Sequence, residues 1–105
     1  EHGVAMAMHF AGTPVSFMAN LHCATATENF IALEHHSVDV PWWEDMVTGI
    51  PKPIHQKGFA TAPDRPGLGI ELVEDVVRAH LMPGTQYFAP TPEWDKERSW
   101  DRLWS

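Results

Sequence analysis

The first third of the chain switches between strand-like and helix-like patterns of hydrophobic and polar positions. A short apolar run over Val4–His9 has the length of a buried strand, and a second such run covers Asn29–Leu33. Between them, apolar residues recur at helical spacing from Pro14 to about Glu28, and Thr13 is a residue type that caps helix starts. A strand, a helix and a strand in this order predict a βαβ unit with two neighbouring parallel strands.

The pattern becomes irregular after His36. Segment 37–53 is rich in proline, which predicts an ordered loop with one helical turn at most. Further on, we predict a strand over Lys57–Ala62 and a helix over Glu71–Leu81, where apolar positions share one face. The chain is therefore predicted to be an α/β protein in which one parallel unit precedes a long irregular segment.

Two parallel strands do not make a stable sheet alone, because parallel sheets are covered on both faces. The chain also starts at Glu1 without a methionine, in a way typical of the interior of a domain. We therefore expect a piece of a longer polypeptide or a chain with an obligate partner. Trp94, Trp100 and Trp104 near the C-terminus favour docking onto another surface, and we expect a homo-oligomer.

Composition narrows the class of protein. The 105 residues suffice for one small domain, and a formal net charge of −7 argues against a nucleic-acid-binding surface. A single cysteine, Cys23, excludes an intrachain disulfide and favours a cytoplasmic location. The sequence contains no apolar run that approaches the length of a membrane span, so no membrane partner is expected.

Polar side chains stand at the ends of both predicted strands. His9 ends the first apolar run and Glu34 follows the second. A right-handed crossover brings the carboxyl ends of two parallel strands to the same edge, where sites of α/β proteins lie. An imidazole beside a carboxylate is suited to proton transfer near neutral pH, so His9 and Glu34 are our candidate catalytic residues. The alternative for His9 is a structural histidine that bonds to backbone at a strand end.

Two histidines and a tryptophan pair follow Glu34. Of His35 and His36, we expect one to face the site and the other to face the packing behind it, and the sequence leaves open which. We take His35 and Trp42 as candidate substrate-binding residues. The alternative for Trp42 is that the Trp42-Trp43 pair fills a gap under the loop.

A zinc site is a second possibility, since the chain holds several zinc-ligand residue types, namely His9, His22, Cys23, Glu34, His35 and His36. Their spacing matches neither HExxH nor CxxC. His22 and Cys23 are adjacent on the predicted helix and point in different directions. We therefore predict no metal ligands in this chain.

Two stretches together carry a resemblance to a known family. MHFAGTPVSFMANLHCATATENFIALEHH resembles the end of the barrel in the mandelate racemase/muconate lactonizing enzyme branch of the enolase superfamily. PDRPGLGIEL is similar to a stretch near the C-terminus of those enzymes. The resemblance implies that residues 1–36 form the last two strands of a (β/α) barrel with their crossover helix, and that residues 37–105 pack on the barrel and return to a capping domain.

The resemblance also implies a function. It implies magnesium-dependent removal of the proton next to a substrate carboxylate, most specifically by an acid-sugar dehydratase that gives a 2-keto-3-deoxy product. His9 would be the base or the acid, and Glu34 would hydrogen-bond the substrate carboxylate as charge builds there. The magnesium ligands are expected on earlier strands, so this chain would need the remainder of the enzyme. Racemase, epimerase or cycloisomerase chemistry, and a non-catalytic fragment that completes a partner's sheet, remain the alternatives.

Overall fold

The computed structural model describes residues 3–88. In chain order the elements are β1 (Met6–Met8), α1 (Pro14–Thr25), β2 (Phe30–Leu33), a 3-10 turn (Glu44–Met46), β3 (Val47–Thr48), β4 (His55–Gln56), β5 (Phe59–Ala60), β6 (Glu71–Leu72) and α2 (Glu74–Ala79). The tail with Trp94, Trp100 and Trp104, which we predicted to dock onto another surface, lies outside the described residues.

Strands β1 and β2 pair in parallel, with Met8 opposite Leu33, and α1 is the crossover between them. The predicted βαβ unit is thereby present. Helix α1 begins where Thr13 and Pro14 indicated, since Thr13 is its N-cap with extended backbone. It ends three residues earlier than predicted. The hydroxyls of Thr25 and Thr27 donate to carbonyl oxygens of the last turns, which competes with continuation of the helix.

The hydrophobic core lies between α1 and the segment that follows residue 36. Phe17, Met18 and Leu21 of α1 pack with Trp43 and Val47, and all of these side chains are buried. The indole Nε1 of Trp43 donates to the carbonyl oxygen of Gly12 at 2.7 Å. This bond ties the loop after β1 to the 3-10 turn, so segment 40–54 fixes the shape of the chain next to His9.

Two of the predicted elements are different in the structure. The predicted strand over Lys57–Ala62 is a hairpin of β4 and β5, in which Lys57 and Gly58 both have positive φ, as a two-residue turn of this kind requires. The predicted helix over Glu71–Leu81 is wrong at its start. Residues 71–72 form β6, paired antiparallel with β3, and only Glu74–Ala79 are helical. Pairing with β3 therefore outweighs the helical pattern there.

No helix within residues 3–88 has both the length and the apolar composition that a membrane crossing needs.

Candidate active site

The paired strands β1 and β2 place His9 and Glu34 side by side. His9 directly follows β1, and Glu34 directly follows β2. The backbone N–H of Glu34 donates to the carbonyl oxygen of Met8 at 3.0 Å, so strand-like pairing continues one residue past β2. Both side chains therefore leave the sheet at its carboxyl-terminal edge, as the crossover geometry predicted.

The two side chains are in direct contact. His9 Nδ1 lies 2.5 Å from Glu34 Oε2, and the side chains are 76% and 50% exposed. His36 Nε2 lies 3.6 Å from the same carboxylate oxygen, and the rings of His9 and His36 are 5.7 Å apart. Three ionisable side chains thus converge on one oxygen atom, and all three remain accessible from outside.

The neighbouring histidines favour the ionised form of Glu34. The hydrogen bond from the His9 ring does most to lower the pKa of Glu34 below its ordinary value, while partial loss of contact with water opposes it. Positive charge on His9 and His36 and the backbone N–H of Phe10 lower this pKa further. At neutral pH, Glu34 is therefore a carboxylate that accepts a hydrogen from His9.

His35 and His36 point in different directions. The His35 ring packs against Phe17, Trp43 and His55, at centroid distances of 5.1, 4.7 and 4.5 Å. Its Nδ1 accepts the N–H of Ser37, and burial lowers its pKa. The structure thus brings His36, and not His35, to the His9–Glu34 pair. A role of His35 in substrate binding stays a prediction, with its ring directed into the core.

Trp42 lies on another side of the same region. Its ring stacks on His80 at a centroid distance of 4.0 Å. Trp42 also lines a cavity of about 420 Å³ together with Gly12, Thr13 and His36. That Trp42 contacts a substrate remains a prediction. Trp42 is connected to the site by this cavity, because His36 lies in its wall as well.

The other proposed zinc-ligand residues lie away from the pair. His22 Nε2 lies 3.3 Å from the carbonyl oxygen of Leu68, and Cys23 is exposed on α1. One potential ligand atom from each of His9, Glu34 and His36 lies within 4.8 Å of the other two. The sequence did carry a signal for His36, because residues two apart in an extended segment point to the same face. Glu34 and His36 have this spacing.

The fold and the site define a class: an α/β protein with a hydrogen-bonded histidine–glutamate pair at the carboxyl ends of parallel strands, where such proteins carry their sites. The chain belongs to the enolase C-terminal domain-like family, whose sequence profile matches residues 1–76. The predicted family is thereby confirmed.

Relatives of known sequence or structure agree with this family. The chain is 39% identical over 85 residues to a D-xylonate dehydratase from Haloferax volcanii, and this match covers 81% of the chain and 20% of the relative. A mandelate racemase/muconate lactonizing enzyme-like protein from Rubrobacter xylanophilus has a TM-score of 0.76 at 34% identity, over 83% of this chain and 22% of that one. A mandelate racemase/muconate lactonizing enzyme from Jannaschia sp. has a TM-score of 0.65 at 36% identity, over 80% and 21%. The chain spans about one fifth of the length of these relatives.

Proposed function

We propose that this chain supplies the last two strands of a barrel enzyme that removes the proton next to a substrate carboxylate, and most specifically of an acid-sugar dehydratase. The observation that carries the proposal is the 2.5 Å contact between His9 Nδ1 and Glu34 Oε2 at the carboxyl ends of two parallel strands. The relative named D-xylonate dehydratase supports the dehydratase and makes D-xylonate the first substrate to test.

His9 is suited to act at its other ring nitrogen. A carboxylate against Nδ1 requires the proton on that atom, so the lone pair of the neutral ring lies on Nε2. The ring is mostly exposed, which leaves Nε2 open to a substrate. As a base, His9 would accept the α-proton on Nε2. As an acid, the imidazolium would give the Nε2 proton to a leaving hydroxyl.

Glu34 supports either role by its negative charge. When Nε2 takes a proton, the ring becomes positive, and a carboxylate at 2.5 Å stabilises that charge and holds the ring in place. The resemblance instead assigns Glu34 to the substrate carboxylate. Glu34 can donate a hydrogen there only after it accepts a proton, and His9 is a proton donor already in contact with it.

Dehydration also defines what this chain does not supply. The reaction breaks the Cα–H bond and the Cβ–O bond, and the electron pair from the first forms the double bond of an enol. The hydroxyl leaves as water after it takes a proton, and the enol then becomes the 2-keto-3-deoxy acid. If His9 is the acid for the hydroxyl, a base elsewhere in the complete enzyme takes the α-proton. If His9 is the base, it can pass the proton on only when the hydroxyl lies within reach of Nε2.

Magnesium, which the resemblance implies, does not fit the residues at this edge. Mg²⁺ prefers an octahedron of oxygen ligands, whereas His9, Glu34 and His36 offer two imidazole nitrogens and one carboxylate. We therefore propose that the magnesium ligands lie on strands of the complete enzyme outside this chain.

The test is turnover of D-xylonate by the full-length protein with single substitutions. His9→Asn removes the acid–base nitrogen and Glu34→Gln removes the negative charge, while both keep a side chain of similar size. We expect each to lower formation of the 2-keto-3-deoxy product by about 100-fold or more. His22→Gln is the matched control, because His22 lies on α1 against Leu68 and away from the pair, and it should keep turnover.

Other outcomes identify the alternatives. Wild-type turnover in both His9→Asn and Glu34→Gln would contradict the proposal and leave a non-catalytic fragment. Deuterium incorporation from solvent at the α-carbon without loss of water would indicate a racemase or an epimerase, for which the names of the structural neighbours are the support.

A further inference from the structure

We propose that His9, Glu34 and His36 form a binding site for a divalent transition-metal ion of the zinc type, separate from the magnesium site of the proposed enzyme. No sequence motif marks this site, because its ligands are 25 and two residues apart along the chain. The parallel pairing of β1 and β2 brings them together.

The distances suit one small ion. Zinc bonds of ~2.1 Å in a tetrahedral arrangement place two ligand atoms ~3.4 Å apart. His36 Nε2 and Glu34 Oε2 are already 3.6 Å apart, and the three ligand atoms lie within 4.8 Å of one another. His9 Nδ1 and Glu34 Oε2, now 2.5 Å apart, must separate by ~1 Å to admit the ion.

The ring positions agree with the same geometry. Two imidazoles bound to one tetrahedral ion have ring centroids ~5 Å apart, and those of His9 and His36 are 5.7 Å apart. Their side chains and that of Glu34 are 50% to 76% exposed, so small rotations are possible without disturbance of the core. The backbone beneath Glu34 is held by its N–H bond to Met8.

The ligand set selects the kind of metal. Two imidazole nitrogens and one carboxylate oxygen are typical ligands of Zn²⁺, and of Co²⁺ used in its place, whereas Mg²⁺ prefers oxygen. Three protein ligands leave one position for water, as in open zinc sites. An ion bound here has both His9 and Glu34 as ligands, so neither side chain is free to act on a substrate. If the proposed function is right, zinc should therefore inhibit turnover, and this consequence alone rests on that function.

The experiment is a titration of the full-length protein with Co²⁺ in the presence of excess Mg²⁺, followed by visible absorption of the bound cobalt. Excess Mg²⁺ keeps a magnesium site filled. We expect one Co²⁺ per chain with the intense absorption of a four- or five-coordinate ion, and its displacement by Zn²⁺. His36→Gln should lower the Co²⁺ affinity at least about tenfold. His22→Gln, a histidine outside the cluster, should leave the affinity unchanged.

Two results of the Co²⁺ titration would overturn the proposed metal site. Equal Co²⁺ affinity in wild type and His36→Gln would place the ion elsewhere and overturn it, as would absence of Co²⁺ binding under excess Mg²⁺. Turnover adds a separate measurement. With each protein compared with its own turnover in the absence of zinc, half-inhibition of His36→Gln should need at least about tenfold more zinc than half-inhibition of the wild type. If no acid sugar is turned over at all, the proposed function fails, but the cobalt titration still decides the metal site.

Discussion

His35 and His36 are neighbours in the chain whose rings have different surroundings. The ring of His35 packs against the core residues Phe17 and Trp43 and against His55, whereas His36 is exposed beside Glu34. The alternation of side chains along an extended segment accounts for this, since successive residues point to opposite faces. One chemical type of residue thus serves packing at one position and the site at the next.

This difference predicts that the same substitution lowers the free energy of unfolding much more at His35 than at His36. His35→Ala removes a ring that packs on Phe17 and Trp43, and we expect a loss of about 2 kcal/mol in the free energy of unfolding, as for other large-to-small changes in a packed environment. His36→Ala should change this free energy by less than about 0.5 kcal/mol, because its ring is exposed. Urea denaturation of the full-length protein measures both. Equal losses would show that the His35 ring is not packed as described.

The sequence predicted the pair at the site but not this division between the two histidines. His9 and Glu34 could be placed together because each stands at the end of an apolar run, and parallel strands have their carboxyl ends at the same edge of the sheet. Which of His35 and His36 shares that edge depends on the direction of the chain after Glu34. The two-residue spacing of Glu34 and His36 favours His36 only if the chain stays extended there. That direction depends on the packing of Trp43 against the loop at Gly12, a tertiary contact that no local pattern indicates.

At the scale of elements, local interactions determine some boundaries of helices and strands, and tertiary contacts determine others. Helix α1 starts where Thr13 and Pro14 predict, since capping is a local interaction. The predicted start of the second helix was wrong, because Glu71 and Leu72 pair with β3 through backbone hydrogen bonds that a helix would not make. The sequence pattern was therefore most accurate for the start of α1, which depends on residues of the helix itself and of its cap.

The turn that leads to β6 gives a test at this scale. Gly67 and Gly69 both have positive φ, at 65° and 73°. A Cβ on Gly69 would lie 2.4 Å from Cγ of Pro63, whereas a Cβ on Gly67 meets nothing within 4 Å. Gly67→Ala should therefore cost only the backbone strain, about 1 kcal/mol. Gly69→Ala should cost about 3 kcal/mol, since the clash adds to the strain.

Thermal and urea denaturation of the full-length protein with each substitution measure this difference, and Gly67→Ala is the matched control for the backbone term. Equal costs at the two positions would mean that the contact between Gly69 and Pro63 does not constrain the turn. A large loss at Gly69 alone would show that close packing at this point, beyond its φ angle, requires glycine in the PDRPGLGIEL stretch.

At the scale of the whole molecule, the parallel pair is incomplete within residues 3–88. Ile31 on β2 is 66% exposed and Phe59 of the neighbouring hairpin is 80% exposed. Between them runs an open groove of about 450 Å³ along β2, lined largely by apolar side chains. Parallel sheets are covered on both faces, so this surface is what the proposed remainder of the enzyme would cover. The sequence pattern could indicate that further strands must cover this apolar surface. Which strands cover it depends on residues outside this chain.

This predicts which backbone amides the complete protein protects. The N–H of Glu34 points to β1, where it bonds to Met8, so the N–H of the preceding Leu33 points to the opposite edge of β2. Within residues 3–88 that edge is open. A further barrel strand would pair with it, and the amide of Leu33 should then exchange with deuterium as slowly as those in the middle of α1.

Hydrogen–deuterium exchange of the full-length protein, followed on fragments that cover residues 29–36, measures this protection. The turn at Lys57 and Gly58 is the internal standard for fast exchange, because it lies exposed at the tip of its hairpin. If Leu33 exchanges as fast as that turn, no strand pairs with β2 at this edge, and the barrel is contradicted even if His9 and Glu34 prove catalytic. Slow exchange there would show instead that a further strand pairs with the open edge of β2, directly beside the position of Glu34, as a barrel requires.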